Sequence, residues 1–368
     1  DPRPDNYFVA SNGAAMVSGL RNAFARIVAE NAAATSTAFS TTTANTTRTG
    51  TGSYATTYNP RGWTGDVIGS ELSFDTNGDP VLTARWNAAA ILDATLSTNR
   101  KIVTCCTLGG AGVPFRYTDM TATTLAPRTN LASFGAVPGV TSQSATNYLS
   151  YLRGDRTQEL GSGGVYRART DVLGDIVGSR ANPVGKPQFP YADQFNAGYG
   201  AFRTTYNNRK TVVYVGANDG MVHAFDGAMS GTTAGTELFA FVPSFAYGDS
   251  TTAPTSGLAS RGNPNFVHHY LVDATAQNFD VDFRRTSGAA PGAPDWRTIL
   301  VGGLGKGGRG YYALDVTDPT SWTSETAVAG KVLWEFTDPR MGYSFGEPRV
   351  VKTAKYGWTM LFSSGYNN

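Results

Sequence analysis

The sequence is poor in the residues on which many functions depend. Only two of its 368 residues are cysteines, Cys105 and Cys106, only three are histidines, and charged residues make up 16%. Two adjacent cysteines exclude a domain held together by several disulfides. A net charge of +2 without a visible cluster of Lys and Arg argues against a nucleic-acid partner. No apolar run approaches the ~20 residues of a membrane-spanning helix, so we expect no membrane span.

Glycine, by contrast, is abundant. The chain contains 43 glycines together with many Thr, Ser, Asn and Tyr residues, which suits a β-rich, turn-rich protein of the cell exterior better than a helical enzyme. Its length allows two or more domains. The chain begins with Asp1, and no charged and apolar leader precedes this residue. Either a signal was removed or, as we expect, the chain is an internal fragment of a longer protein.

A recurrence in the second half of the chain is the strongest indication of its fold. The pattern of residues 211–241 occurs again at residues 298–336 with longer spacers. The distance between matching residues increases only in runs rich in Gly, Thr and Ser, as expected if loops absorb insertions between constant strands. The matching pieces are residues 214–216 with 300–302, 224–226 with 313–315, 238–241 with 333–336, and Trp296 with Trp358. Short antiparallel strands repeated in series are typical of propeller blades. We therefore predict a mainly β chain with about three blades of an incomplete β-propeller.

The same stretches carry a family resemblance. The runs VVYVGANDGMVHAFD, HHYLVDA, WRTILVGGLGKGGRGYYALDVTDP, VLWEFTD and GYSFGEPRVVKT occur in this order. With them the chain resembles the C-terminal, quinoprotein-like propeller of the PilC/PilY family, the tip-associated adhesins of bacterial type IV pili. The resemblance covers residues 152–368 closely and residues 7–116 more loosely. It implies a non-enzymatic adhesin and assembly factor that acts in pilus biogenesis, surface or host attachment and twitching motility.

The resemblance also implies partners and a location. Minor pilins and the pilus tip would bind the propeller, and a host-cell or surface receptor would bind other domains. The protein would lie outside the cell, at the pilus tip or the outer-membrane surface, after export through the periplasm. Calcium binding in this family belongs to an Asp-rich loop beyond residue 368, so we expect residues 1–368 to hold no metal and no cofactor.

The rest of the chain divides into three segments before the propeller part, which is predicted at residues 146–368. Residues 1–34 are predicted to contain a helix, because apolar residues recur at helical spacing over residues 11–30. By resemblance this is the terminal helix of an upstream von Willebrand A-like domain. Residues 35–57 have too few apolar side chains to order, so we predict a linker. Residues 58–145 are predicted to form a small β-rich domain of α+β character.

Local patterns predict several elements within these segments. An Asn77-Gly78 turn is expected between two strands of the small domain, followed by a short helix over residues 87–94 and a strand over residues 101–104. Asp75 and the acidic and amide residues after it resemble the start of a calcium loop, but Trp86 stands where such a loop needs a bidentate Glu. A hairpin turn explains these residues better.

The tripeptide Arg153-Gly154-Asp155 matches the sequence that integrins recognise. Recognition would need the tripeptide at an exposed loop tip. The apolar residues before it predict instead a brief helix over residues 147–153 that Gly154 ends. Both interpretations, a helix cap and an adhesion tripeptide, stay open at this stage.

Cys105 and Cys106 follow a predicted strand, where adjacent side chains point to opposite faces. Three interpretations compete: two buried thiols, cross-links to cysteines outside the chain, or a vicinal disulfide in a bend after the strand. Export to an oxidising compartment favours oxidation.

This doublet supports the main alternative function, a periplasmic dehydrogenase that uses pyrroloquinoline quinone. Such quinoproteins also have propeller blades and a vicinal disulfide beside the cofactor. In this chain, however, the cysteines precede the propeller and Phe239 stands where the quinoprotein repeat has Trp. No catalytic Asp with a cation-binding set stands out, so we predict that the chain is not an enzyme.

Two further patterns are interpreted as structural. Residues 305–310 match the phosphate-binding pattern G-x-G-x-x-G but lead into a strand instead of a helix, so we predict a glycine-rich hairpin. The histidines His223, His268 and His269 are interpreted as core or surface residues. Partner contacts are expected on the variable spacers at residues 227–235, 248–265, 287–295 and 317–330.

Overall fold

The computed structural model describes residues 34–39, 51–106, 110–122, 144–248, 256–284 and 293–367, and the helix predicted over residues 11–30 lies outside them. The strands are β1 (Ala34–Phe39), β2 (Thr51–Asn59), β3 (Thr64–Phe74), β4 (Pro80–Asn87), β5 (Ile102–Thr104), β6 (Val113–Pro114), β7 (Asn182–Val184), β8 (Val212–Ala217), β9 (Met221–Asp226), β10 (Glu237–Val242), β11 (Gln277–Asp282), β12 (Trp296–Gly303), β13 (Tyr311–Asp315), β14 (Val332–Phe336), β15 (Arg349–Thr353) and β16 (Gly357–Leu361). The helices are α1 (Ala88–Asp93), α2 (Tyr117–Ala122), α3 (Ala145–Leu152), α4 (Tyr199–Thr205), α5 (Gly257–Ser260) and α6 (Glu325–Ala329). The described chain is thus mainly β, as predicted, and its sheets do not close on themselves.

The two copies of the sequence repeat fold into successive antiparallel sheets. Strands β7 to β10 pair in order, and so do β11 to β14. Both sheets have a shift in strand register at the matching position. In the β9–β10 pair it lies between Glu237 and Phe239, and in the β13–β14 pair it lies between Ala313 and Leu314. Strands β15 and β16 form a hairpin at the position of the third copy. The recurrence in the sequence was therefore a correct guide to the fold.

The pairing corrects the sequence match by one residue. Tyr214 lies opposite Ala224 in the first sheet, whereas Val301 lies opposite Ala313 in the second. The structural counterpart of Tyr214 is therefore Val301 and not Leu300. Side chains alternate between the faces of a strand, so Tyr214 and Leu300 come from opposite faces of their own sheets. Both enter the same apolar core, which lies between the sheets.

Aromatic side chains fill this inter-sheet core. Tyr214 and Tyr312 are almost fully buried, and Phe241 packs on Tyr312 with their ring centroids 5.4 Å apart. Phe239 meets Trp322 edge to face at 4.8 Å. Aromatic residues of this size remove ~150–250 Å² each from water, so this core is a major source of stability between the two sheets.

A four-stranded antiparallel sheet, β1-β2-β3-β4, precedes these units. Its β3–β4 turn confirms the prediction at Asn77-Gly78: the Asp75 carboxylate accepts the amides of Asn77 at 2.8 Å and Asp79 at 2.9 Å, and Gly78 adopts a φ of 87°. The carboxylate that resembled a calcium ligand therefore stabilises a turn. The predicted helix over residues 87–94 is present as α1, and the Asn87 side chain caps it by accepting the Ala90 amide.

The predicted linker over residues 35–57 is wrong for the two strands found there, β1 and most of β2. These strands pair with each other, and β2 also pairs with β3. Threonine is abundant in β2, and its branched side chain favours extended backbone. Tyr54 in β2 is buried, and its hydroxyl donates to the carbonyl of Gly227 at 2.6 Å. Burial against a distant loop orders a segment whose composition alone suggested disorder.

The predicted strand over residues 101–104 is present as β5, but it does not belong to a separate small domain. β5 pairs in parallel with β10 and antiparallel with β6, so the first sheet has six strands in the order β6-β5-β10-β9-β8-β7. Part of the segment predicted as a small domain at residues 58–145 thus extends the first sheet of the repeat. In the described residues, no helix is long and apolar enough to cross a membrane.

Candidate functional site

The structure places the Arg153-Gly154-Asp155 tripeptide at the end of α3. Arg153 is buried and donates from Nη2 to the Arg100 carbonyl at 2.7 Å. Its Nη1 lies 2.8 Å from Oε1 of Glu325. Gly154 has a φ of 111°, as expected of the glycine that ends a helix. Burial of Arg153 and the positive φ of Gly154 agree with the helix-cap interpretation. The adhesion tripeptide stays a prediction.

Arg153 is the centre of a junction between distant segments. Glu325 at the start of α6 pairs with both Arg116 and Arg153, and its Oε1 also accepts the Ile102 amide at 3.0 Å. These contacts tie β5 and the end of α3 to the helix that follows β13. Within residues 317–330, where variable partner contacts are predicted, Glu325 is therefore engaged in internal contacts.

The spacer at residues 227–235 is also packed internally. The Trp86 indole donates to the Ala228 carbonyl at 2.8 Å, and the Tyr54 hydroxyl donates to Gly227. Parts of these two spacers are thus held by internal contacts, whereas residues 230–233 and Thr320 are exposed. Partner contacts on the spacers stay a prediction. The spacers at 248–265 and 287–295 lie partly outside the described residues.

A buried ionic network, which the sequence analysis missed, lies in the first repeat. His223 in β9 contacts Oε1 of Glu237 at 2.7 Å through Nδ1 and Oδ2 of Asp219 at 3.0 Å through Nε2. Arg100 donates to both oxygens of Glu237, at 2.7 and 2.8 Å. The side chains of Arg100, His223 and Glu237 are at most 2% exposed. The signal in the sequence was a charged residue inside an apolar strand, which is tolerated only with a partner.

The network keeps its members charged at neutral pH. Burial opposes the charge of His223, but Asp219 and Glu237 outweigh burial and raise the His223 pKa to about 9. Burial likewise opposes the charge of Glu237, yet Arg100 and His223 lower its pKa to about 2. A general base works best with a pKa near the working pH. The charges of this network therefore hold each other in place and are not suited to proton transfer near neutrality.

His268 also has a structural role. His268 stacks on Trp63 with ring centroids 3.7 Å apart, and its Nε2 lies 2.8 Å from Asp175. The nearby Asp273 carboxylate accepts the Gly178 amide at 2.7 Å. Residues 305–310 form the turn of the β12–β13 hairpin, as predicted.

Cys105 and Cys106 lie directly after β5, with their sulfur atoms side by side. Cys105 is fully buried and Cys106 is partly buried. The vicinal disulfide remains a proposal among the three interpretations of this pair. Among the described residues, these two sulfurs and a Glu335 oxygen form the one group of at least three His, Cys, Asp or Glu ligand atoms close enough to share a metal ion.

One open cavity at the surface has two basic residues in its wall, Lys186 and Arg203. It has a volume of about 620 Å³ and lies between the segment after β7 and helix α4. Its walls are formed by Lys186, Pro187, Gln188, Gly200, Arg203, Thr204 and Asn207. Neither Lys186 nor Arg203 forms an ion pair within the described ranges of the chain, and both are exposed. These features make the cavity a candidate contact surface for an acidic partner.

Comparison with known proteins gives a consistent result. A family model described as the PilY1 beta-propeller domain matches residues 173–368. The whole chain is 33% identical to the "Type IV pilus biogenesis factor PilY1 homolog" of Xylella fastidiosa (strain Temecula1), of which it covers 26%. Over 84% of the chain it is 32% identical to the "Type IV pilus biogenesis factor PilY1" of Pseudomonas aeruginosa (strain PAK), of which it covers 24%. The chain thus spans about a quarter of the length of these relatives.

A solved structure is also similar in sequence. The crystal structure of the Pseudomonas aeruginosa PilY1 C-terminal domain is 33% identical, and the match covers 50% of this chain and 32% of that one. The TM-score is 0.34, so the superposition itself carries no argument. The family assignment depends on the family model and on the sequence relatives.

Proposed function

The chain belongs to the PilY1 β-propeller family, and we propose that it acts as a non-enzymatic scaffold in type IV pilus biogenesis. The observation that supports this function most strongly is the match of the family model over residues 173–368, which contains both four-stranded units of the repeat. The relatives are named as pilus biogenesis factors. Attachment to surfaces or host cells, twitching motility and a place at the pilus tip outside the cell belong to the same proposal.

The internal contacts of the chain agree with a scaffold. Arg153 forms an ion pair with Glu325. His223 forms ion pairs with Asp219 and Glu237. Such contacts rigidify the sheets and leave little for catalysis. The alternative of a quinoprotein dehydrogenase finds no support in the comparisons, which name pilus biogenesis factors.

The basic cavity is the surface we assign to a pilus partner. Lys186 on the segment after β7 and Arg203 on α4 line this cavity. Charges on a rim chiefly accelerate association and select partners of opposite sign. A minor pilin with an acidic surface fits this chemistry, and its binding would weaken as salt is added.

The proposal is tested in a bacterium that makes the full-length protein. Deletion of the gene should reduce the pili recovered by shearing, and the unaltered gene should restore them. Normal piliation of the deletion strain would contradict the function. The Lys186→Glu/Arg203→Glu variant should capture less minor pilin than the unaltered protein. A variant with the same charge change elsewhere, Arg340→Glu/Lys355→Glu, is the control. Equal capture by both variants would leave the function standing but remove the cavity from it.

A further inference from the structure

Three segments that are far apart in sequence converge at the cysteine pair. β5 and β10 run in parallel, with Thr104 beside Val242, so Cys105 and Cys106 leave β5 next to the residues that leave β10. Ser244 is one of those residues. Glu335 reaches the same place from β14 in the second sheet of the repeat. The site therefore joins the first and second sheets.

Glu335 is held in a defined orientation. The Ser244 amide donates to its Oε1 at 2.7 Å, and the Ser244 hydroxyl donates to its Oε2. The cysteine sulfurs and a Glu335 oxygen all lie within 4.8 Å of one another. In metal sites, hydrogen bonds from outer groups orient a ligand carboxylate in this way, and their loss weakens metal binding.

The surroundings are apolar on one side and open on the other. Cys105 lies within the inter-sheet core, which also contains Phe241 and Tyr312. Cys106 and Glu335 are only partly buried. An ion could reach the site from the Cys106 side, while the core side excludes water and strengthens electrostatic attraction.

We infer that Cys105, Cys106 and Glu335 bind one thiophilic divalent cation, of which Zn²⁺ is the type, when the two cysteines are reduced. Zinc prefers thiolate and carboxylate ligands at about 2.3 and 2.0–2.2 Å in tetrahedral geometry. Ligands that share such an ion lie roughly 3.5–3.8 Å from each other, so the two sulfurs, which the structure places in bonding contact, have to move apart after reduction. The fourth position would be taken by water.

The site depends on the oxidation state of the pair. In a vicinal disulfide the sulfurs are bonded to each other and offer no thiolate. A phosphine reductant supplies two electrons that break the sulfur–sulfur bond, takes an oxygen atom from water to become the phosphine oxide, and leaves two thiols. Zinc then displaces the two thiol protons, since only thiolates are ligands. The inference is independent of the role in pilus biogenesis.

The experiment measures zinc on the full-length protein. Samples with and without prior phosphine treatment are incubated with ZnSO₄ and freed of unbound metal, and zinc is quantified per protein. The reduced protein should carry one Zn²⁺ more than the oxidised protein. Cys106→Ser should lose this additional ion, and Glu335→Gln should weaken its binding at least about tenfold. Glu347→Gln, at an exposed carboxylate, is the control.

Folding is checked in every variant by circular dichroism and thermal unfolding. If Cys106→Ser does not fold, Cd²⁺ titration of the reduced protein decides, because thiolate coordination produces an ultraviolet charge-transfer band. The inference is overturned if the folded, reduced protein gains no additional zinc or no such band. It is also overturned if Glu335→Gln binds zinc as tightly as the unaltered protein.

Discussion

Through the buried network around His223, the free energy of unfolding depends on pH between 6.5 and about 9. The His223 pKa is raised from 6.5 in the unfolded chain to about 9 in the fold, where burial is outweighed by Asp219 and Glu237. A raised pKa means that the folded state binds the proton more tightly than the unfolded state. The contribution is therefore complete below pH 6.5 and is lost as pH rises towards 9.

The size of the effect follows from the shift. One pKa unit corresponds to about 1.4 kcal/mol, so the change at His223 amounts to about 3 kcal/mol between pH 6.5 and 9. The lowered pKa values of Glu237 and Asp219, both about 2, describe the same contacts from the acid side. Their contribution is present above the unfolded pKa values and is lost as pH falls towards 2. The contribution of His223 and that of the two carboxylates are not added, because they arise from the same set of interactions.

Urea unfolding measured between pH 6 and pH 9.5 tests this reasoning. The free energy of unfolding should fall by about 3 kcal/mol over the range, and the fall should be absent in His223→Gln. That variant should also be less stable at pH 6, because Asp219 loses its charged partner and Glu237 keeps only Arg100. His269→Gln is the matched control and should keep the slope. A flat profile in the unaltered protein, or an unchanged slope in His223→Gln, would refute the assigned charge state.

Three further predictions concern packing and the junction of segments, and urea unfolding measures each. Arg153→Met should cost about 1–3 kcal/mol, because Glu325 loses one of its two arginine partners and the buried Arg100 carbonyl loses its donor. Asp155→Asn should change stability by less than about 0.5 kcal/mol, and equal effects would contradict the helix-cap assignment. Leu300→Ala should lower the free energy of unfolding by about 2–5 kcal/mol, because it opens a cavity between the sheets. Leu361 is 51% exposed, so Leu361→Ala serves as the control. Tyr54→Phe should cost about 1 kcal/mol by removing the hydrogen bond to Gly227, and no loss would mean that β2 does not depend on this contact.

Several features of the fold could be predicted because they depend on nearby residues. The Asn77-Gly78 turn is closed by a carboxylate two to four residues away. Helix α3 ends before Gly154, as predicted, although it begins after Ser144, earlier than the predicted start at residue 147. The repeat was found because each copy is a local run of strands and turns. Interactions over a few residues leave patterns that a sequence displays directly.

The candidate sites depended on contacts that no local pattern encodes. Whether Arg153 was exposed depended on Glu325, a residue far along the chain. The ionic network needed Arg100 to reach Glu237 across the β5–β10 pair. The one-residue error in matching Leu300 to Tyr214 arose because both positions are apolar in both copies, and only strand pairing distinguishes the two faces.

The sequence by itself determined the strand-rich class, the repeat, the local turns and caps, and the resemblance that led to the pilus family, because each depends on composition or on residues close along the chain. Only the tertiary structure decided that residues 51–57 form a strand, that β5 joins the first sheet, and that Ala228 and Glu325 in two of the spacers bind distant segments. It also brought Cys105, Cys106 and Glu335 together. The physical reason is that long-range pairing is selected by the burial and hydrogen bonding of whole surfaces, which neighbours in sequence do not specify.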